Sequence, residues 1–146
     1  MRLFLSILLL GITACQKVPQ VRVFPPDDEL ISVETYYALS PTLVKEQIQV
    51  LDNGLIKYET YYADGVKKSQ GKLLSDEKMS ELEQLLNSIN WNEIAKDDTQ
   101  GLDGTSVRFV YNSRPYILWT PSYDAEKRGL VSLLNLKKTL RGFLRP

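Results

Sequence analysis

From Glu29 onward the polar and apolar positions alternate with a period of two. Ile31, Val33, Thr35 and Tyr37 interleave with Ser32, Glu34 and Tyr36, a β-strand pattern in β-favouring residues. Ser40-Pro41-Thr42 breaks the run. A second strand over Val44–Leu51 sets Val44, Ile48 and Val50 against Lys45, Gln47 and Gln49. Asp52-Asn53-Gly54 is a hairpin signal, because Asn-Gly tolerates the positive φ angles of tight primed turns. The third strand, Leu55–Tyr62, places Ile56, Tyr58, Thr60 and Tyr62 on one face, and Asp64-Gly65 repeats the turn chemistry. Lys67, Lys68, Gln70 and Lys72 make the fourth strand, Val66–Leu73, suited to a sheet edge, where lysines discourage unwanted pairing.

The period then changes. Ser75 reads as a helix N-cap, with Asp76 and Glu77 in the first turn where the helix dipole favours acids. Met79, Leu82, Leu85, Leu86 and Ile89 follow at spacings of three and four, a core-facing stripe that Trp91 and Ile94 extend beyond the helix end. After an irregular stretch from Lys96 to Gly104 comes a second hairpin: Thr105–Tyr111, a turn at Asn112-Ser113-Arg114, and Pro115–Trp119. Pro121 ends it. A last helix is expected over Tyr123–Leu140, with Leu130, Leu133, Leu134 and Leu140 on one stripe and Lys137, Lys138 and Arg141 near its C-terminal end. The expected fold is α+β: an antiparallel meander sheet plus a second hairpin, with two amphipathic helices packed on one face.

The first 28 residues follow neither period. Met1-Arg2 and the apolar run Leu3–Ile12 have the form of a secretory signal. Ten apolar residues reach only ~15 Å as a helix, about half the hydrocarbon thickness of a bilayer. The run ends in Ile12-Thr13-Ala14-Cys15, which resembles the lipobox of bacterial lipoproteins. That resemblance implies cleavage before Cys15, a diacylglycerol on its sulfur and acylation of the new amino group. Gln16 in place of Asp resembles outer-membrane cargo in enteric-type sorting. The alternative, an ordinary secreted protein with a stray cysteine, leaves an unpaired thiol in an oxidising compartment. Residues 15–28 then form a lipidated, extended tether. Pro19, Pro25 and Pro26 forbid a helix there, and the thirteen residues from Gln16 to Asp28 reach ~40 Å when stretched. Residues 29–146 form a single globular domain.

Composition narrows the chemistry. Eighteen basic and eighteen acidic side chains balance over the chain, so there is no basic excess to mark a nucleic-acid footprint. With no histidine and one cysteine, classical zinc sites, Ser-His-Asp triads, Cys-His dyads and internal disulfides are all excluded. The expectation is an envelope protein without cofactor or metal, not an enzyme, held to the membrane through Cys15 and binding an envelope protein partner.

Three constellations remain. Ser75-Asp76-Glu77-Lys78 fits the S-x-x-K nucleophile motif, but its companion elements are missing and a capping serine beside an exposed lysine explains the same residues. Glu93, Asp97, Asp98 and Asp103 are the one acidic concentration near a loop, with carboxylate hydrolysis or calcium binding as the chemistry to weigh against simple turn capping. Eight tyrosines are present, and Tyr36-Tyr37 and Tyr61-Tyr62 must each place one ring on either face of a strand. Tyr36 and Tyr61 therefore fall opposite the core face, either as a partner-binding surface or as cross-strand aromatic pairing that stabilises the sheet.

Beyond the leader, the chain loosely resembles small domains of bacterial lipoproteins and secreted proteins. The residues that carry the likeness are Asp52-Asn53-Gly54, Leu73-Leu74-Ser75-Asp76-Glu77, Trp91 and Asp103-Gly104. More distantly it is similar to emfourin-type peptidase inhibitors in its short strand-and-helix plan, which implies an inhibitor or immunity-type protein as an alternative function.

Overall fold

The computed structural model describes residues 28–97, 104–119 and 122–145. The expected leader 1–14, Cys15, the expected tether up to residue 27, Asp98 and Asp103 lie outside the described residues. Among the described residues there are nine elements: β1 (Glu29–Tyr37), β2 (Leu43–Leu51), β3 (Leu55–Tyr62), β4 (Lys67–Leu73), α1 (Asp76–Ser88), β5 (Thr105–Tyr111), β6 (Arg114–Leu118), α2 (Ser122–Lys127) and α3 (Val131–Leu144). The fold is mixed α+β and mainly sheet.

All six strands form one antiparallel sheet in the order β4-β3-β2-β1-β5-β6. The first four strands are the expected meander. The second hairpin extends the same sheet by pairing β5 with β1, from Ile31↔Tyr111 to Tyr37↔Thr105. That makes β1 central, and it is buried continuously from Ile31 to Thr35, its polar positions included. β4 lies at one end of the strand order, as its lysines require of an edge.

Alternation sorts the side chains between two faces. Ile31 and Val33, Ile48 and Val50, Ile56, Val107, Phe109 and Leu118 share one face, aligned by Ile31↔Val50, Val33↔Ile48, Val33↔Phe109 and Val107↔Leu118. They form one hydrophobic cluster with Leu82 and Leu86 of α1, Ala125 of α2, and Leu133, Leu136, Leu140 and Phe143 of α3. Each fully buried Leu or Phe contributes about 1.5–3 kcal/mol relative to leaving it in water.

The local signals act as physics predicts. The β2–β3 turn places Gly54 at φ +83°, and Asn53 Oδ1 accepts the Leu55 N–H at 2.9 Å. Ser75 is the N-cap of α1, its hydroxyl accepting the Lys78 N–H at 3.4 Å.

Two expectations fail. Val44 does not join Ile48 and Val50: the β2–β3 register shifts between Leu43 and Lys45, and the side chain is 43% exposed. The expected helix over 123–140 is two helices. Gly129 at φ +73° ends α2 while Leu130 N–H bonds Ala125 O at 2.9 Å and Gly129 N–H bonds Glu126 O at 3.2 Å. This is a Schellman termination, sealed by burial of Leu130 and Ala125. Every leucine of the stripe lies after the break, from Leu130 onward, so their spacing carries no trace of it.

Candidate functional site

The sheet face opposite the apolar cluster is polar, and its centre is Lys45. In register, Tyr36 of β1 and Tyr61 of β3 flank Lys45 of β2 on either side. The Lys45 ammonium lies 5.9 Å from the Tyr36 ring centroid and 4.3 Å from that of Tyr61, and Lys67 lies 5.3 Å from Tyr61. Both tyrosines named from the alternation are thus brought together on one face. Tyr36 is 36% exposed, whereas Tyr61 is half-buried between its two lysines.

Carboxylates hold both phenols. Glu34 accepts from Tyr36 Oη at 3.0 Å, Lys45 Nζ at 3.3 Å and Arg108 Nη1 at 3.1 Å. Burial pushes the Glu34 carboxyl up, but the Tyr36 hydrogen bond and the Lys45 and Arg108 cations outweigh it and hold it below the ordinary carboxylate value. Burial and the same carboxylate raise Tyr36 above a free phenol. Glu59 repeats the plan with Lys67 at 2.7 Å and the Tyr61 hydroxyl, which lower it, while Tyr61 is raised in return. The result is a rigid, zwitterionic patch in which every ring is pinned by its own hydroxyl.

A second cluster escaped the sequence reading. Glu46 shares the parity of Ile48 and Val50, yet it accepts from the Tyr37 and Tyr58 hydroxyls and pairs with Arg141 of α3. Burial raises its carboxyl, but the two phenols and Arg141 more than offset that, and it sits below the ordinary value. Lys137, one turn before Arg141, is pushed down to about 8 by burial and by the neighbouring guanidinium, against the pull of Glu46. A carboxylate at a core-parity position was the available signal, since a buried charge demands partners.

Of the acidic candidates, Asp97 is tied into the fold. Asp97 has a fully buried carboxylate that accepts the Trp119 N–H at 2.8 Å and pairs with Arg128 at 3.3 Å. It fastens its segment to the end of β6 and to the turn after α2. Glu93 is exposed, and Asp98 and Asp103 lie outside the described residues. Among the described residues no group of three or more acidic, cysteine or histidine side chains is placed to hold a metal ion. At Ser75-x-x-Lys78 the serine hydroxyl is the helix cap, and the Lys78 ammonium lies 5.8 Å from the Phe143 ring centroid.

At the β6 side of the sheet, Trp91 stacks on Tyr111 with centroids 4.5 Å apart and meets Tyr116 at 4.9 Å. Its indole N–H donates to Leu86 O at 2.9 Å, which closes the end of α1. No helix among the described residues is long and apolar enough to cross a membrane. A scan against protein-family models and a search of curated proteins gave no match.

Proposed function

We propose that the chain is a lipid-anchored protein of the bacterial cell envelope whose polar sheet face binds a protein partner without catalysing a reaction. In this reading residues 1–14 are the cleaved leader, Cys15 carries the lipid, and residues 15–28 hold the domain clear of the membrane. The membrane is the outer one, with the domain facing the periplasm. All three helices pack on one face of the sheet and leave the other open.

One observation carries the binding half of the proposal: Tyr36 and Tyr61 converge on Lys45. Tyrosines offer large amphipathic contact area with few rotatable bonds, and hydroxyls already fixed by Glu34 and Glu59 leave little side-chain freedom to lose on association. Ile117, 42% exposed, opposes Arg108 in register and adds apolar area to the same face. Charge selects the partner. Lys45 and Arg108 are engaged by Glu34 and Lys67 by Glu59, which among the described residues leaves Lys57 as the surplus cation on this face. The occupant is therefore a folded protein that offers a carboxylate at Lys57 and a flat apolar strip across the tyrosines. The anchor half rests on the Ile12-Thr13-Ala14-Cys15 pattern and the absence of any other use for a single thiol.

The full-length chain crosslinked in its native envelope tests both halves. Tyr36→Ala and Tyr61→Ala should each lose a band that wild type and a Lys127→Ala control retain. Equal recovery from all four proteins refutes the binding face. Mass spectrometry of the N-terminal peptide should show a lipid-modified Cys15 at the new terminus. A bare cysteine still joined to residues 1–14 refutes the anchor.

A further inference from the structure

The cleft beside Trp91 belongs to neither the sheet face nor the Glu46 cluster. It measures about 460 Å³ and lies between the segment after α1 and the β5–β6 hairpin. That volume is in the range of small-ligand sites. Its floor is aromatic: Trp91 is in ring contact with both Tyr111 and Tyr116, and all three remain partly exposed.

The rim is made of hydrogen-bonding groups without internal partners. Asn90 and Asn92 come from one wall, Asn112 and Arg114 from the other. Among the described residues these four side chains, and the Tyr111 and Tyr116 hydroxyls, make no hydrogen bond or ion pair within the protein. Asn112 and Ser113 form the two-residue turn of the β5–β6 hairpin, both in the left-handed region at φ 49° and 61° that a tight primed turn requires.

An aromatic floor with a rim of amides suits one ligand class in particular. A pyranose ring has apolar C–H faces that stack on aromatic rings and an equatorial ring of hydroxyls that both donate and accept. Asparagine amides match such hydroxyls because they offer both functions on one planar group. We propose that this cleft is a saccharide-binding site, with Trp91, Tyr111 and Tyr116 as the stacking floor and the exposed Arg114 guanidinium selecting a carboxylate-bearing sugar. A proline-rich peptide also uses aromatic grooves, but it offers carbonyl acceptors and few donors, so the amide oxygens of the three asparagines would go unmatched.

The test is saccharide titration of the full-length chain in detergent, read by tryptophan fluorescence. Trp91 and Trp119 are the two tryptophans, so a Trp119→Phe background makes Trp91 the reporter. Trigalacturonate should give a saturable change and bind about tenfold tighter than neutral chitotriose, the scale of one charge-assisted hydrogen bond. Arg114→Gln should erase that preference while chitotriose affinity holds, and Asn92→Ala should weaken both sugars. Tyr36→Ala should change neither, which separates this site from the sheet face. No saturable signal with either sugar overturns the proposal, as does saturation by a proline-rich peptide alone or wild-type affinity in both Arg114→Gln and Asn92→Ala. Equal affinity for the two sugars overturns the role given to Arg114.

Discussion

Lys137 holds a charge in a place that disfavours it, and replacing it should make the protein more stable at neutral pH. Burial and Arg141 bring its ammonium down from 10.5 to about 8. At about 1.4 kcal/mol per pH unit this displacement amounts to ~3 kcal/mol, and the partial exposure of the amine reduces it to about 1–2 kcal/mol. Between pH 8 and 10.5 the unfolded chain keeps this proton while the folded chain has released it, so the wild-type fold gains stability as pH rises through that window. Lys137→Met keeps the aliphatic stem and removes the charge. It should stabilise the protein by about 1–2 kcal/mol at pH 6.5, and the gain should shrink steadily above pH 8. Urea unfolding of both proteins from pH 6.5 to 10, with matched m-values, measures the difference directly. A variant no more stable than wild type at pH 6.5, or a gain that ignores pH, would refute this account of Lys137.

Two further changes probe the joints of the fold. Asp97→Ala strands the Trp119 N–H and removes the ion pair with Arg128, and should cost about 1–3 kcal/mol in urea unfolding; a cost under 0.5 kcal/mol would show that this carboxylate is not the fastening described. Gly104→Ala meets two obstacles, a φ of +65° and a Cβ position 2.6 Å from Ala38 Cβ, so a loss of about 2 kcal/mol is expected. Ala38→Gly should recover part of that loss, since it relieves the clash and leaves the backbone term; no recovery in the double variant would argue against the contact.

Local chemistry was legible wherever neighbours in sequence decide the outcome. The Asn53-Gly54 turn, the Ser75 cap, the lysine-rich edge strand and the placement of Tyr36 and Tyr61 opposite the core all follow from residues within a few positions of one another. What escaped depends on partners far along the chain. Glu46 looked like one more polar residue until Arg141, 95 positions away, came beside it. Asp97 looked like a member of an acidic loop until Arg128 and the backbone of Trp119 took both of its oxygens. The break at Gly129 precedes every leucine of the α3 stripe, so their spacing could not mark it, and the exposed Val44 was hidden by a bulge that alternation cannot register. The aromatic cleft is drawn from the end of one helix and both strands of a later hairpin, so no single stretch announces it.

The central position of β1 also governs how the domain carries load. Asp28 precedes a strand that is bonded along its length to β2 on one side and β5 on the other. A pull applied there along the strand axis meets two ladders in shear, so their hydrogen bonds must yield together rather than open one at a time. Had β4 been the strand that follows the N-terminal segment, the same pull could have stripped an edge from the sheet. The strand order therefore makes a domain that can be hauled by its N-terminal side without being unravelled from it.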